Sequence, residues 1–560
     1  MGDEHGARRS PFHTQAQRAK TPPAVDVANG PVEKKQRIND DLGGAMLLHS
    51  PSFRHKHVHY KLPEEWLTHL ATKYKISKAK VFTNGQEAMD YAELLYSQSC
   101  DVIRDCLRRF AGGEPTVYEA TRTACYPMVA CYVDIRDMDR CRGHYAAYGV
   151  VKEPGYYTNT LTRPDVMGDY YAQQLSILVE RYQICLVVGA SDAQIPLPFV
   201  MDTASAPHDI SSRRAFELHE NFCFPDLSKI NDDLPNGCSQ VPPNSPKPLC
   251  LFSAERTDLG LQRLAHYCGT HPKYFQGFVL LTNYQRYVEE FIAWGQATVL
   301  SHGSGYTKLV GPRDTVLADA AVGQVLSPDN ITSLPQMPAY HVVRKDGLGI
   351  TLVNIGVGPS NAKTLTDHLA VLRPHCWLML GHCAGLRVSQ NLGDYVLAHA
   401  YVREDHVMDQ DLPLWIPLPP IAEVQTALEA AVGTVLRDVD IKSAMRTGTL
   451  VTTDNRDWEL RAEELKQRFI QSRAIAVDME SATIAANGFR FRVPYGTLLC
   501  VSDKPIHGEL KLQGMANEFY RQRTNEHLQI GLEAVRLLRE QGVGRLQSRK
   551  LRGFDEPPFR

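Results

Sequence analysis

The second half of the chain repeats one pattern: a short apolar run ends in a turn and passes at once into a stretch with helical spacing. GFVLLTN leads into YQRYVEEFIAWG, ITLVNIG leads into PSNAKTLTDHLAVL, and CWLMLG follows directly. Apolar runs that alternate with amphipathic helices specify a mostly parallel sheet covered by helices. The fold expected is therefore α/β, a C-terminal α/β domain with a central mixed, largely parallel sheet under helices. A smaller N-terminal α/β (α+β) domain is expected before it, on the strand Ile184 to Gly189 within QICLVVGAS and the helical segment Asp165 to Arg181.

Within this frame the stretch AVDMESATIAANGFRFRVPYGTLLCVSD, residues 476–503, places two carboxylates at defined ends of one unit. Glu480 opens a helix and Asp503 closes a strand. The carboxyl ends of strands in an open parallel sheet face the ligand crevice, so the two side chains can converge there. Such a pair suits a nucleoside, with Glu480 holding ribose hydroxyls and Asp503 handling a proton on the base. Blander readings stand beside these: a strand-ending Asp can cap a helix, and a first-turn Glu is favoured by the helix dipole.

A chain of 560 residues exceeds one ordinary core, and about one domain per 100–200 residues gives two or three domains plus tails. Residues 1–45 are polar, carry Pro22 and Pro23 and lack apolar periodicity, so a disordered tail is expected. Residues 46–230 form the expected N-terminal domain, and 231–250, dense in Pro, Asn and Ser, a linker or surface loop. Residues 251–560 form the C-terminal domain, closed by a helix over Asn525 to Gln541 with Ile530, Leu532, Val535 and Leu538 at helical spacing.

Lys plus Arg (61) nearly cancels Asp plus Glu (63), so no global basic field exists to gather nucleic acid by counterion release. A small-molecule partner is expected instead. No apolar run approaches the roughly 18 residues of a membrane span, and the opening MGDEHGARRSPFHTQ has no apolar leader segment, so a cytoplasmic protein without membrane contact is expected. The 13 cysteines are scattered without a C-x-x-C pair, which suits reduced thiols. His55, His57 and His59 alternate in a strand-like stretch, but no acidic or Cys partner lies near, so no metal is expected.

Further motifs follow in order: Gly356-Val357-Gly358-Pro359 between a strand and a helix, Gly381-His382-Cys383-Ala384-Gly385, Thr447-Gly448-Thr449 with Thr453-Asp454, Asp478-Met479-Glu480, and Ser502-Asp503. The glycine turn permits close backbone approach and leaves helix N–H groups free for an anion. This order resembles the nucleoside phosphorylase-I superfamily. Within it, DMESATIAANGFRFRVPYGTLLCVSDKPIHGELK, PGYYTNTLTRPD (154–165) and SRKLRGFDEPPFR resemble the AMP nucleosidase family.

The resemblance implies a nucleoside phosphorylase-like catalytic domain, an N-terminal regulatory domain, and hydrolysis of AMP to adenine and ribose 5-phosphate in purine salvage. It also implies a homohexamer, activation by MgATP, inhibition by inorganic phosphate, and no cofactor required for the chemistry. Asp503 becomes the acid at N7, Glu480 the ligand of the 2′- and 3′-hydroxyls, and Met479 the floor under the sugar, with Ser502, Gly356 and Gly358 beside them. Phosphorylases of the superfamily place an Arg and a Ser, both phosphate ligands, where this chain has Met379 and His382. Water therefore fits better as nucleophile. His382 is a site candidate on even terms with a structural turn histidine. Arg456 or Trp458 is expected to stack on the base, with core packing an equal reading for Trp458. Arg286, Lys308, Arg313 and Arg163 stay open as 5′-phosphate ligands. The alternatives are a purine nucleoside phosphorylase and a non-catalytic nucleotide-sensing regulator.

Overall fold

The computed structural model describes residues 72–114, 118–134, 151, 153–201, 212–242, 245–325, 334–437, 439–510, 517–546, 551 and 556–560. The polar tail over 1–45 and His55, His57 and His59 lie outside the described residues.

The first sheet has five strands, β1 (Ser77–Phe82), β2 (Cys125–Val133), β3 (Gly155–Thr160), β4 (Leu186–Gln194) and β5 (Lys247–Pro248), in the order β1-β4-β2-β3-β5. Only β3 and β5 run parallel; the other pairings are antiparallel, as in an α+β region. Helices α1 (Gly85–Ala111) and α2 (Pro164–Tyr182) pack on each other, and Met89 and Ala92 of α1 join Leu175 and Leu178 of α2 over Val129 and Val188 of the sheet. Asn84 caps α1, its side chain accepting from the N–H groups of Gln86 at 2.8 Å and Glu87 at 3.2 Å.

The second sheet has eleven strands: β6 (Phe278–Thr282), β7 (Tyr306–Gly311), β8 (Thr315–Asp319), β9 (Gln324–Val325), β10 (Ala339–Arg344), β11 (Ile350–Asn354), β12 (Cys376–Gly385), β13 (Tyr395–Glu404), β14 (Met445–Thr453), β15 (Ala474–Asp478) and β16 (Tyr495–Asp503). Their order is β15-β14-β13-β16-β12-β6-β11-β10-β7-β8-β9, and an extra β12–β15 pairing closes the first five into a ring. The three apolar runs read from the sequence are β6, β11 and β12, which lie parallel and adjacent at the centre. Every residue of β6 is buried, as a strand covered on both faces requires. The other edge supplies the antiparallel part of the mixed sheet. Strands β7, β8 and β10 pair antiparallel, because the few residues between β7 and β8 leave no room for a helical crossover.

Helices α3 (Ala254–Cys268), α4 (Gln285–Leu300), α5 (Pro359–Leu369), α6 (Ala422–Leu436), α7 (Ser481–Phe491) and α8 (Asn517–Gln541) cover this sheet. Helix α8 comes so close to β12 that a Cβ at Gly531 would collide with the side chain of Leu380. The apolar spacing read along 525–541 is the face α8 buries, with Leu528, Val535 and Leu538 fully covered.

The described residues form one compact unit, and polar contacts join its two sheets. Asp258 of α3 is buried and accepts from Tyr126 of β2 at 2.6 Å and from Thr162 at 2.8 Å. Over 231–242 the described chain has no helix or strand, yet Asp232 accepts from Arg256 of α3 at 2.8 Å and from Arg490 of α7 at 3.1 Å. Further on, Lys247–Pro248 supplies β5 and Leu249 is fully buried. The segment at 556–560 returns to the first sheet: the Phe559 N–H donates to Leu249 at 2.9 Å, and the Arg560 carbonyl accepts from Tyr170 of α2 at 2.6 Å and from Arg373 at 3.0 Å.

Candidate active site

The ring of strands brings Glu480 and Asp503 together through one residue. Ala384, near the end of β12, pairs with Asp503 of β16 on one side and with Val477 of β15 on the other. Val477 lies three residues before Glu480, so both carboxylates emerge at the same end of the ring. The reading of Glu480 as a helix opener and Asp503 as a strand end matches the coordinates.

Glu480 is 1% exposed and held on both oxygens. Its Oε1 accepts from the Gly358 N–H at 2.6 Å and its Oε2 from the Asn283 carboxamide at 3.0 Å. Burial, and after it the neighbouring Asp478 carboxylate, raises Glu480 well above the usual carboxylate range. Asp478 is buried as well and holds the backbone that presents Glu480. It accepts from the N–H groups of Glu480 at 3.3 Å and Ser481 at 2.8 Å and from the Thr452 hydroxyl at 2.5 Å.

The alignment of Gly358 with Glu480 is set from behind. Gly358 caps α5 and Glu480 caps α7, and the two helices are lashed along their length. Arg490 of α7 is 4% exposed and pairs with Asp367 of α5 at 3.0 Å, Asp232 at 3.1 Å and Asp411 at 3.3 Å. Lys363 adds pairs to Asp367 at 2.7 Å and Asp411 at 3.2 Å, and Asn487 donates to Thr366 at 2.8 Å. Three cations, counting Arg256, face three carboxylates, so the buried charge is balanced.

Asp503 is partly exposed, and its Oδ1 lies 2.6 Å from the Ser502 hydroxyl, which also reaches the Cys383 carbonyl at 3.3 Å. Met479 is partly exposed between Asp478 and Glu480. His382 on β12 meets Tyr284 in a tilted ring contact at 4.4 Å between ring centres, and Tyr287 lies 5.8 Å away. Met379, two residues before Gly381, is fully buried in the core.

Two family descriptions match in succession: "Bacterial AMP nucleoside phosphorylase N-terminus" over residues 87–246 and "Phosphorylase superfamily" over 316–536. An AMP nucleosidase from Escherichia coli strain K12 is 47% identical over 478 residues, which cover 85% of this chain and 98% of that protein. The chain belongs to the AMP nucleosidase family. A guanosine phosphorylase from Halorubrum lacusprofundi is 22% identical over 33% of this chain and 73% of its own. Among solved structures, an AMP nucleosidase from Bacteroides thetaiotaomicron aligns with a TM-score of 0.38 at 28% identity, covering 51% of this chain and 98% of that one. A purine nucleoside phosphorylase from Toxoplasma gondii in complex with immucillin-H aligns at 0.35 and 18% identity, covering 49% and 98%.

In this member of the AMP nucleosidase family the predicted site residues fall into two groups. Glu480, Met479, Gly358, Gly356, His382, Ser502 and Asp503 lie on the turns and strand ends around the ring, and exposed Arg286 stands in the first turn of α4, just after Asn283 and Tyr284. The other 5′-phosphate candidates lie on other elements. Lys308 lies on β7, four strands from β12 or roughly 19 Å across the sheet, and pairs with Asp319 at 3.2 Å. Arg313 sits in the turn after β7, where its backbone N–H donates to the Gly269 carbonyl at 2.6 Å. Arg163 grips Asp165 at 2.8 and 2.6 Å and meets His271 at 3.2 Å.

Arg456 is exposed in the turn after β14. Trp458 occupies the core-packing reading: it is 5% exposed and meets Phe469 edge-on in a cluster with Ala384 and Val477. The sequence reading gave no role to Asn283 or Asp478, the two side chains that fix Glu480. For Asp478 a signal was present, an Asp three residues before a Ser at a helix start. Among the described residues no helix is long and apolar enough to cross a membrane, and no group of three His, Cys, Asp or Glu is placed to hold a metal.

Proposed function

We propose that this chain hydrolyses the N-glycosidic bond of AMP, giving adenine and ribose 5-phosphate. The observation that carries the reading is the double pairing of Ala384, which sets a buried, doubly held Glu480 and a more open Asp503 at one strand end. A nucleoside needs that asymmetry. Glycosyl cleavage passes through an oxocarbenium-like sugar, and a carboxylate on the ribose hydroxyls stabilises charge that develops only in the transition state.

Asp503 protonates N7, so adenine departs neutral as the C1′–N9 bond breaks. Met479 packs under the sugar. Water supplies the oxygen that bonds to C1′, because the position of the phosphorylase Arg is held by Met379, an uncharged core side chain. Arg286 is the 5′-phosphate ligand this reading favours, from its place in the first turn of α4 beside Asn283. The five-stranded region is read as regulatory, with MgATP and inorganic phosphate as opposing effectors, in a cytoplasmic homo-oligomer. Incubation with AMP and with adenosine, each with and without inorganic phosphate, tests the proposal by the sugar released.

A further inference from the structure

Asn283 presents a carboxamide with two different faces. Its Nδ2 donates to Glu480 Oε2 at 3.0 Å. Its Oδ1 is buried and accepts no hydrogen bond from any described residue. A buried acceptor left unmatched costs about 1–3 kcal/mol, so its retention asks for a reason. The atom's position supplies one. A Cβ at Gly381 would lie 3.1 Å from this oxygen, so the glycine gives it room. Gly381 stands between Met379 and His382, the two positions where the phosphorylase pattern holds its nucleophile. The acceptor thus lies on the nucleophile's side of the sugar, tied to the carboxylate that grips the ribose.

We propose that Asn283 orients the attacking water, its Oδ1 accepting one water O–H while its Nδ2 anchors the amide to Glu480. This rests on the hydrolytic reading above. The amide does not take the proton. As the water oxygen bonds to C1′ and the C1′–N9 electron pair leaves with the base, the proton shed by the water returns through solvent to Asp503, replacing the one given to N7. One oxygen acceptor in fixed relation to Glu480 also explains how a site with Met379 in place of the phosphorylase Arg keeps its nucleophile aligned with C1′. Misplacement of a reacting group by an ångström costs about 10²-fold in rate.

The test is Asn283→Leu, which keeps the shape and removes both polar faces, assayed on AMP and on 2′-deoxy-AMP. Orientation of water predicts a kcat loss of about 10²-fold on both substrates, with KM changed only a few-fold. If Asn283 acts solely by positioning Glu480 on the ribose hydroxyls, the loss shrinks on 2′-deoxy-AMP, which offers only the 3′-hydroxyl, and the proposal is overturned. Thermal unfolding of the variant separates a rate effect from a folding defect. The wild-type product on AMP decides the hydrolytic reading separately: ribose 5-phosphate there, with an unaffected Asn283→Leu, refutes the water role alone.

Discussion

The backbone N–H of Gly358 donates to the Glu480 carboxylate at 2.6 Å, joining the first turns of two helices whose sequences lie 122 residues apart. Gly358 has φ +113, a conformation essentially restricted to glycine, yet a Cβ there would meet nothing within 4 Å. The constraint is therefore one of backbone conformation and not of space. Gly358→Ala should cost about 1–3 kcal/mol of local strain and tilt the N–H away from Glu480. A lower kcat on AMP with a melting temperature only slightly reduced is the expected result; unchanged kinetics would show that this bond does not align Glu480.

Asp503→Asn removes the proton donor without changing shape. General acids contribute about 10²–10⁴ in rate, so kcat should fall by that range while KM for AMP stays within a few-fold. Near-normal turnover in a folded variant would remove Asp503 from the role.

Glu480→Gln keeps an acceptor for Gly358 but cannot ionise, and so cannot meet the developing oxocarbenium with a full negative charge. Loss in kcat is expected. An effect confined to KM would reassign Glu480 to ground-state binding.

Asp258 gives a pH prediction. Burial pushes its carboxyl up to about 7 from an ordinary 3.8. Between those values the folded chain keeps a proton that the unfolded chain has released. The stability contributed by the neutral form is complete below the lower value and is lost as pH rises through about 7, with a slope of up to about 1.4 kcal/mol per pH unit. Asp258→Asn cannot titrate, so its melting temperature relative to wild type should rise from pH 5 to about pH 7 and level off above it. A constant difference across that range would contradict the assignment.

Arg490→Met tests the network behind the site. Removing one member of a buried ion group leaves carboxylates without their partner, at about 3–5 kcal/mol. A large drop in thermal stability is expected, with Asp232, Asp367 and Asp411 all affected. A near-neutral effect would mean that water screens the cluster.

What the sequence made legible were features written locally. Glu480 and Asp503 sit at element boundaries marked by apolar runs, and the three central strands announce themselves by composition. Asn283 was opaque because its meaning depends on the closure of β12 onto β15, a pairing between residues far apart in the chain. The Pro- and Asn-rich composition of 231–250 describes its turns well. It does not register that Asp232 meets a buried Arg490 some 258 residues later. The mixed, largely parallel sheet was legible as a class, but no strand was assigned over 306–344, where the short connection between β7 and β8 sets an antiparallel edge. Trp458 was undecidable from sequence, since an indole that stacks on a base and one that fills a core carry the same residue pattern.

The most direct test supplies AMP to the wild-type protein in buffer containing isotopically labelled inorganic phosphate and identifies every sugar product. The account predicts ribose 5-phosphate alone, all label remaining in inorganic phosphate, and adenosine cleaved far more slowly than AMP at equal concentration. Label appearing in a sugar 1-phosphate, or adenosine cleaved as readily as AMP, would contradict it and make the chain a phosphorylase.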